Sequence, residues 1–233
     1  MDLYNWIVAN KEIIKLFYGL IAAIICLIIV SKAHKLYHLS LYEGIRYFRN
    51  AFLFFGIAFI FRYVLGGFIY FDSINPMYNQ ITMILFEFFI LMAGFFLLYS
   101  LIWKRIEGES GGSFSSILNF KVLIFYGMAL IITIIDYIWS SYYFMFFSMI
   151  IIFVLSAIIS YSNYIKNGKK GRFLKFYLLA MVLGLVAWIL NAFFSAYFDY
   201  NKIVLFFVYL LNIVIFLLFL YGIIRITKKS GGQ

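Results

Sequence analysis

Apolar residues come in long runs broken by short polar clusters, and the runs recur from one end of the chain to the other. A helix rises 1.5 Å per residue, so about 20 apolar residues cross the ~30 Å hydrocarbon layer of a bilayer. The breaks predict seven helices, at about 12–31, 46–71, 79–102, 118–139, 141–162, 172–196 and 203–226. Val122–Ser160 is apolar almost throughout and far longer than one span needs, so it must double back. WSSYY at 139–143 is the predicted turn, which makes helices four and five a tight hairpin. The run Leu16–Val30 ends in SKAHK without a small-residue cleavage pattern and reads as a retained first helix.

The expected fold is therefore all-α: a polytopic membrane protein forming one seven-transmembrane-helix bundle over 1–233, with no stretch left over for a separate soluble domain. Composition agrees. The 233 residues are 66% hydrophobic and 12% charged, against roughly 45–50% and 25% for a soluble domain, which could not hide so much apolar surface. The excess of Phe, Tyr, Ile, Lys and Asn hints at an AT-rich prokaryotic genome, and a multi-pass protein of the cell membrane is expected.

Basic residues give the direction. Four alternate segments, 31–50, 103–121, 162–175 and the C-terminal tail, hold 15 of the 19 Lys and Arg residues. Short cytoplasmic loops carry such an excess, so the N-terminus is expected outside and the C-terminus inside. The net charge of +10 then reflects basic loops facing anionic headgroups, and nucleic acid is not an expected partner. At an offset of about 126 residues, RYFRNAFLF at 46–54 lies against RFLKFYLLA at 172–180, each opening a helix with basic residues. Helices one to three and five to seven fall in register at that offset. A 3+1+3 layout, two parallel triple-helix units joined by a linker helix, is one reading; even loop spacing in any seven-helix chain is the other.

Ionisable groups inside a bilayer are expensive and face the bundle interior, which makes them the sharpest functional pointers. Arg62 and Glu87 lie in the outer halves of helices two and three, at depths compatible with a salt bridge. Arg62 shares a helical stripe with Phe55, Ala58, Phe59, Leu65 and Gly66; Glu87 shares one with Gln80, Met83, Ile84 and Gly94. Helix six adds Gly184, Ala187, Trp188, Asn191 and Ser195, and helix four adds Thr133 and Asp136 near its outer end. In one reading Arg62 and Glu87 neutralise each other, while Asp136 and Asn191 fix helix register through interhelical hydrogen bonds. In the other, Arg62, Glu87, Asp136 and Asn191 line a pocket open to the outside, walled by Tyr63, Tyr70, Trp139, Tyr142 and Trp188, with Arg62 offered to an anionic or polar ligand. The inner half holds no ionisable residue to match; Asn212, Tyr99, Ser100 and Thr227 are its polar side chains of note. That asymmetry disfavours a proton- or ion-coupled pump.

Other chemistry finds little support. The single cysteine, Cys26, allows no intrachain disulfide and no cysteine metal site. His34 and His38 have i,i+4 spacing with Glu43 nearby, but they lie among cytoplasmic lysines, where a solvated face is the commoner explanation. No histidine falls inside a span to hold haem, and IEGESGGSFSSILNF at 106–120 lacks the glycine spacing and lysine of a phosphate loop. No cofactor and no metal are expected, and neither histidine reaches the outer hydroxyls for acyl transfer, so an enzyme is not expected. The seventh span, 203–224, has no lysine for a retinal Schiff base and no proline-containing end of the G-protein-coupled receptor kind. The lone proline, Pro76, is in an outer loop, unlike those of the sugar-transporting 3+1+3 families.

Two functions follow. The first is a sensory or ligand-binding module that takes a small ligand from outside and passes the signal through its basic inner loops to a cytoplasmic or membrane protein partner. The second is a small-solute transporter of 3+1+3 type, which would need a cavity reaching the midplane above a thin inner gate; a structural subunit of a larger complex stands beside them.

Overall fold

The computed structural model describes residues 9–67, 76–107, 120–166, 172–197 and 202–230, and among these every regular element is helical. There are seven long helices: α1 Lys11–Ser40, α2 Glu43–Phe59, α3 Pro76–Glu107, α4 Phe120–Trp139, α5 Tyr143–Lys166, α6 Arg172–Tyr197 and α7 Lys202–Ser230. Each is, with the π-helical extension of α2 described below, long and apolar enough to cross a membrane. The chain is a seven-helix, multi-pass membrane protein.

The first two helices differ from expectation at the end that the basic residues mark as inner. The first was expected to stop at about 31, but it runs on to Ser40, and only Leu41 and Tyr42 separate it from α2. The polar letters of SKAHKLYHLS look like a loop but form three more helical turns outside the apolar layer. Leu41 ends them in a left-handed conformation (φ 52°), its N–H donating to the Tyr37 carbonyl at 2.7 Å. Glu43 then opens α2, where a negative charge suits the helix N-terminus; it accepts from Tyr37 Oη at 3.0 Å and pairs with Arg46 at 3.2 Å.

Beyond Phe59, α2 widens into a π-helical turn over Ile60–Leu65 before Gly66. A π turn inserts an extra residue and shifts the phase of every side chain that follows. Leu65, assigned to the Arg62 stripe on α-helical spacing, is consequently turned outward at 39% exposure. The rest of the predicted second span, 68–71, lies outside the described residues, as does most of the loop at 106–120.

The hairpin turn falls at WSSYY, with α4 ending at Trp139 and α5 starting at Tyr143. Ser140 takes a left-handed φ of 48°.

Contacts between helices define a ring: α1 packs on α2, α2 on α3, α3 on α5, α5 on α6, α6 on α7, and α7 back on α1. Among the described residues, the helix α4 touches only α3 and α5 and stands outside the ring. It is apolar on all sides and presents Leu123, Ile124, Leu130, Ile131 and Ile134 outward, as a lipid-facing helix does. Along the chain this peripheral helix separates α1–α2–α3 from α5–α6–α7; α1 and α5 end 126 residues apart, and α3 and α7 begin 126 apart. Close approach is allowed by small residues. A methyl group on Gly19 would collide with Tyr63 Cβ, and one on Gly184 would collide with the Phe153 ring.

Candidate functional site

The ring encloses a cavity of about 860 Å³. Its rim, among the described residues, is formed by Glu12, Lys15, Gly66, Gly67 and Tyr142, at the end of the bundle where α1 begins. Along α2 its lining runs from Gly66 to Phe55, eleven residues or roughly 16 Å of helix, about half the hydrocarbon thickness. The floor is aromatic. Phe219 packs on Phe52 at 5.1 Å, on Tyr177 at 5.5 Å and on Phe48 at 5.7 Å between ring centroids, all four rings being buried. Along α3 the lining reaches further, from Met83 to Leu97, fourteen residues or roughly 21 Å of helix.

Of the six residues singled out from the sequence, Arg62, Tyr63, Trp188 and Asn191 line this cavity. Glu87 and Asp136 are not among its lining residues. The reason is helical phase: α3 presents Met83, Phe86 and Ile90 to the cavity, and Glu87, one residue or about 100° further round, lies instead beside Asp136 on α4. Among the wall residues, Tyr142 lines the cavity, Trp139 points outward at 65% exposure, and Tyr70 lies outside the described residues.

Asp136 is a structural keystone. It is 1% exposed and holds the α4–α5 hairpin shut, Oδ1 accepting from Phe144 N at 3.1 Å and Ser141 Oγ at 3.2 Å, Oδ2 from Met145 N at 2.8 Å. It therefore serves as an N-terminal cap for α5 contributed from the preceding helix. Glu87, 3% exposed, has its carboxyl within hydrogen-bonding reach of Asp136. Glu87 Oε1 is buried with no hydrogen-bond partner.

The salt bridge between Arg62 and Glu87 does not form. The ion pairs among the described residues are Lys11–Glu12, Lys15–Glu12 and Arg46–Glu43. Arg62 lies over the Phe86 ring, 5.4 Å from its centroid, and its Nη1 is buried with no hydrogen-bond partner. Around it stand tyrosines: Tyr18 stacks on Tyr209 at 4.3 Å and meets Tyr63 edge-on at 5.0 Å. Tyr18 is 4% exposed, and its hydroxyl, near Asn212, makes no hydrogen bond of good geometry. Tyr18, Phe86 and Tyr209 escaped the sequence reading because a tyrosine or phenylalanine within an apolar run looks like core or interfacial belt. A hydroxyl some seven residues inside α1 was the available signal.

At the opposite end, His34 and His38 lie on α1 with Nε2 atoms 3.3 Å apart, and His34 Nδ1 is 3.1 Å from Arg49 Nη1. Arg49 also donates to Asn50 Oδ1 at 3.1 Å. This cluster lies near the inner helix ends, remote from the cavity.

The fold and cavity define a multi-pass, all-helical membrane protein with a polar-aromatic chamber inside its helix ring. No protein-family profile matches the chain, and no solved structure matches it. It is similar to an uncharacterised protein of Archaeoglobus fulgidus, 26% identical over 220 residues that cover 89% of this chain and 90% of that one.

Proposed function

We propose that this protein is a receptor-like ligand-binding module of a prokaryotic cell membrane, which takes a small molecule from the outside into the chamber of its helix ring. The observation that carries this reading is the cavity of about 860 Å³, open at the N-terminal end of α1 and floored by packed aromatic rings. A concave, largely apolar site with a few convergent polar groups is the usual form of a small-molecule pocket. The positive-inside distribution puts its mouth on the outer side. The inner ends of α1 and α2, with Arg46 and Arg49, are the surface this reading assigns to a protein partner.

The purified full chain in nanodiscs, screened against a metabolite library by thermal shift, should show at least one compound that raises Tm. Asn191→Leu and Asn212→Leu, both on the cavity wall, should fold yet respond less. A library with no stabilising compound, or variants that respond as the parent does, would sink the proposal.

A transporter of 3+1+3 type is the second reading, favoured by the closed ring of six helices with α4 outside it. Counterflow of a labelled binding compound in proteoliposomes separates the two. Accumulation above protein-free vesicles favours transport; saturable binding without counterflow favours the receptor.

A further inference from the structure

Among the described residues, charge along the chamber lining is unbalanced: the acidic one is Glu12, and it sits at the rim already engaged by Lys15 at 3.0 Å and Lys11 at 3.7 Å. The buried acids that could have served Arg62 as counter-ions, Glu87 and Asp136, are turned to each other on the far side of α3. Arg62 is thus a cation at membrane depth whose nearest favourable partner is the face of Phe86, with Nη1 buried and unbonded. A charge so placed is costly unless paired or hydrated, and intramembrane cations facing a cavity commonly mark the place of an anion. A guanidinium on an aromatic face keeps its in-plane N–H donors free for a carboxylate.

A second feature borders the same cavity. The Tyr18 hydroxyl, on a side chain only 4% exposed, lines the cavity near Asn212 and makes no hydrogen bond of good geometry there. Tyr18 and Arg62 are linked through Tyr63 and Tyr209: Tyr18 packs on both rings, and Tyr209 lies within electrostatic reach of Arg62. Below these groups the chamber is apolar, with Phe216 packed on Phe55 at 5.8 Å and edge-on to Phe59 at 5.5 Å, and Ile90 and Met145 also on its lining.

Resting on the reading of the cavity as a ligand site, we propose that its ligand is a small water-borne organic carboxylate with an apolar body. The carboxylate is held by Arg62 and the Tyr18 hydroxyl, and the body lies on the Phe55–Phe59–Phe216 floor.

The test uses the full chain in phosphatidylcholine nanodiscs and two probes alike but for charge, 6-bromo-2-naphthoate and 6-bromo-2-naphthalenemethanol. Binding is measured by calorimetry against empty nanodiscs, and bromine quenching of Trp188, a cavity-wall residue, reports location, with Trp188→Phe as control. The carboxylate should bind saturably and at least ~10-fold more tightly than the alcohol, as expected when a charge-assisted pair is added. Arg62→Met should abolish that preference by weakening the carboxylate alone. Arg62→Lys should keep part of it, and Tyr18→Phe should weaken the carboxylate several-fold. Equal affinity for both probes, or an undiminished preference in Arg62→Met, overturns the carboxylate while leaving a ligand site standing. Saturable binding of neither probe also overturns it; the broader reading then stands or falls on the metabolite screen. Loss of carboxylate binding when phosphatidylglycerol is added to the nanodiscs would assign Arg62 to a lipid headgroup and overturn a water-borne ligand.

Discussion

Arg62, Glu87 and Asp136 are the three ionisable residues inside the spans, and each meets its burial differently. Asp136 is satisfied by two backbone N–H groups and a serine hydroxyl, Glu87 leans on Asp136, and Arg62 is left to an aromatic face and the cavity. This separation makes a sharp prediction. Had Arg62 and Glu87 formed an ion pair, Arg62→Met and Glu87→Gln would rescue each other; because they do not touch, their effects on unfolding in detergent should add within about 0.5 kcal/mol. An amide of the same size can donate to Asp136, so Glu87→Gln should change stability by less than about 1 kcal/mol. Asp136→Ala strips three donors of their acceptor and should cost about 2–3 kcal/mol. A strong coupling between Arg62 and Glu87 in the double-mutant cycle would contradict the geometry.

At the scale of the helix, two kinds of position are decided by backbone shape. Leu41 and Ser140 both end helices with positive φ, where a side chain is strained. Leu41 is 73% exposed, so Leu41→Gly loses little packing and should stabilise the chain by about 0.5–1 kcal/mol, read as a rise in Tm. Gly19 and Gly184 are the converse, right-handed positions where the neighbouring helix leaves no room. Gly184→Ala pushes on Phe153, a buried ring, and should cost about 1–3 kcal/mol. Gly19→Ala meets the root of the Tyr63 side chain, which cannot swing away, so α1 must move off the π turn. That substitution should destabilise more than Gly184→Ala and also impair ligand response, because Tyr63 is part of the cavity wall.

For the whole molecule, the ring of six helices around a chamber and the basic inner ends make one object with a sided opening. A cysteine introduced at Lys15, on the rim, should react with a membrane-impermeant maleimide in intact cells. One introduced at Lys35, on the inner extension of α1, should react only after permeabilisation. Native Cys26, 0% exposed, gives no background. The reverse labelling pattern would invert the bundle and remove the outside-facing mouth on which ligand entry depends.

Length and apolarity of the runs are local properties, and they were enough for the seven spans, the 139–143 turn and the all-helical fold, because a bilayer admits few other ways to bury a backbone. The inner extension of α1 was illegible for the same reason: outside the hydrocarbon layer a polar helix and a polar loop are written in similar letters. Arg62, Tyr63, Trp188 and Asn191 could be suspected as cavity residues, since polar and amphipathic groups in a span seek the interior. Partnership could not be read. Whether Glu87 faces Arg62 or Asp136 turns on about 100° of helical phase, on a π turn that breaks the 3.6-residue count, and on α4 standing outside the ring against α3. Those are properties of how the helices pack, and they are what separates Arg62 from the buried acids and leaves it facing the chamber.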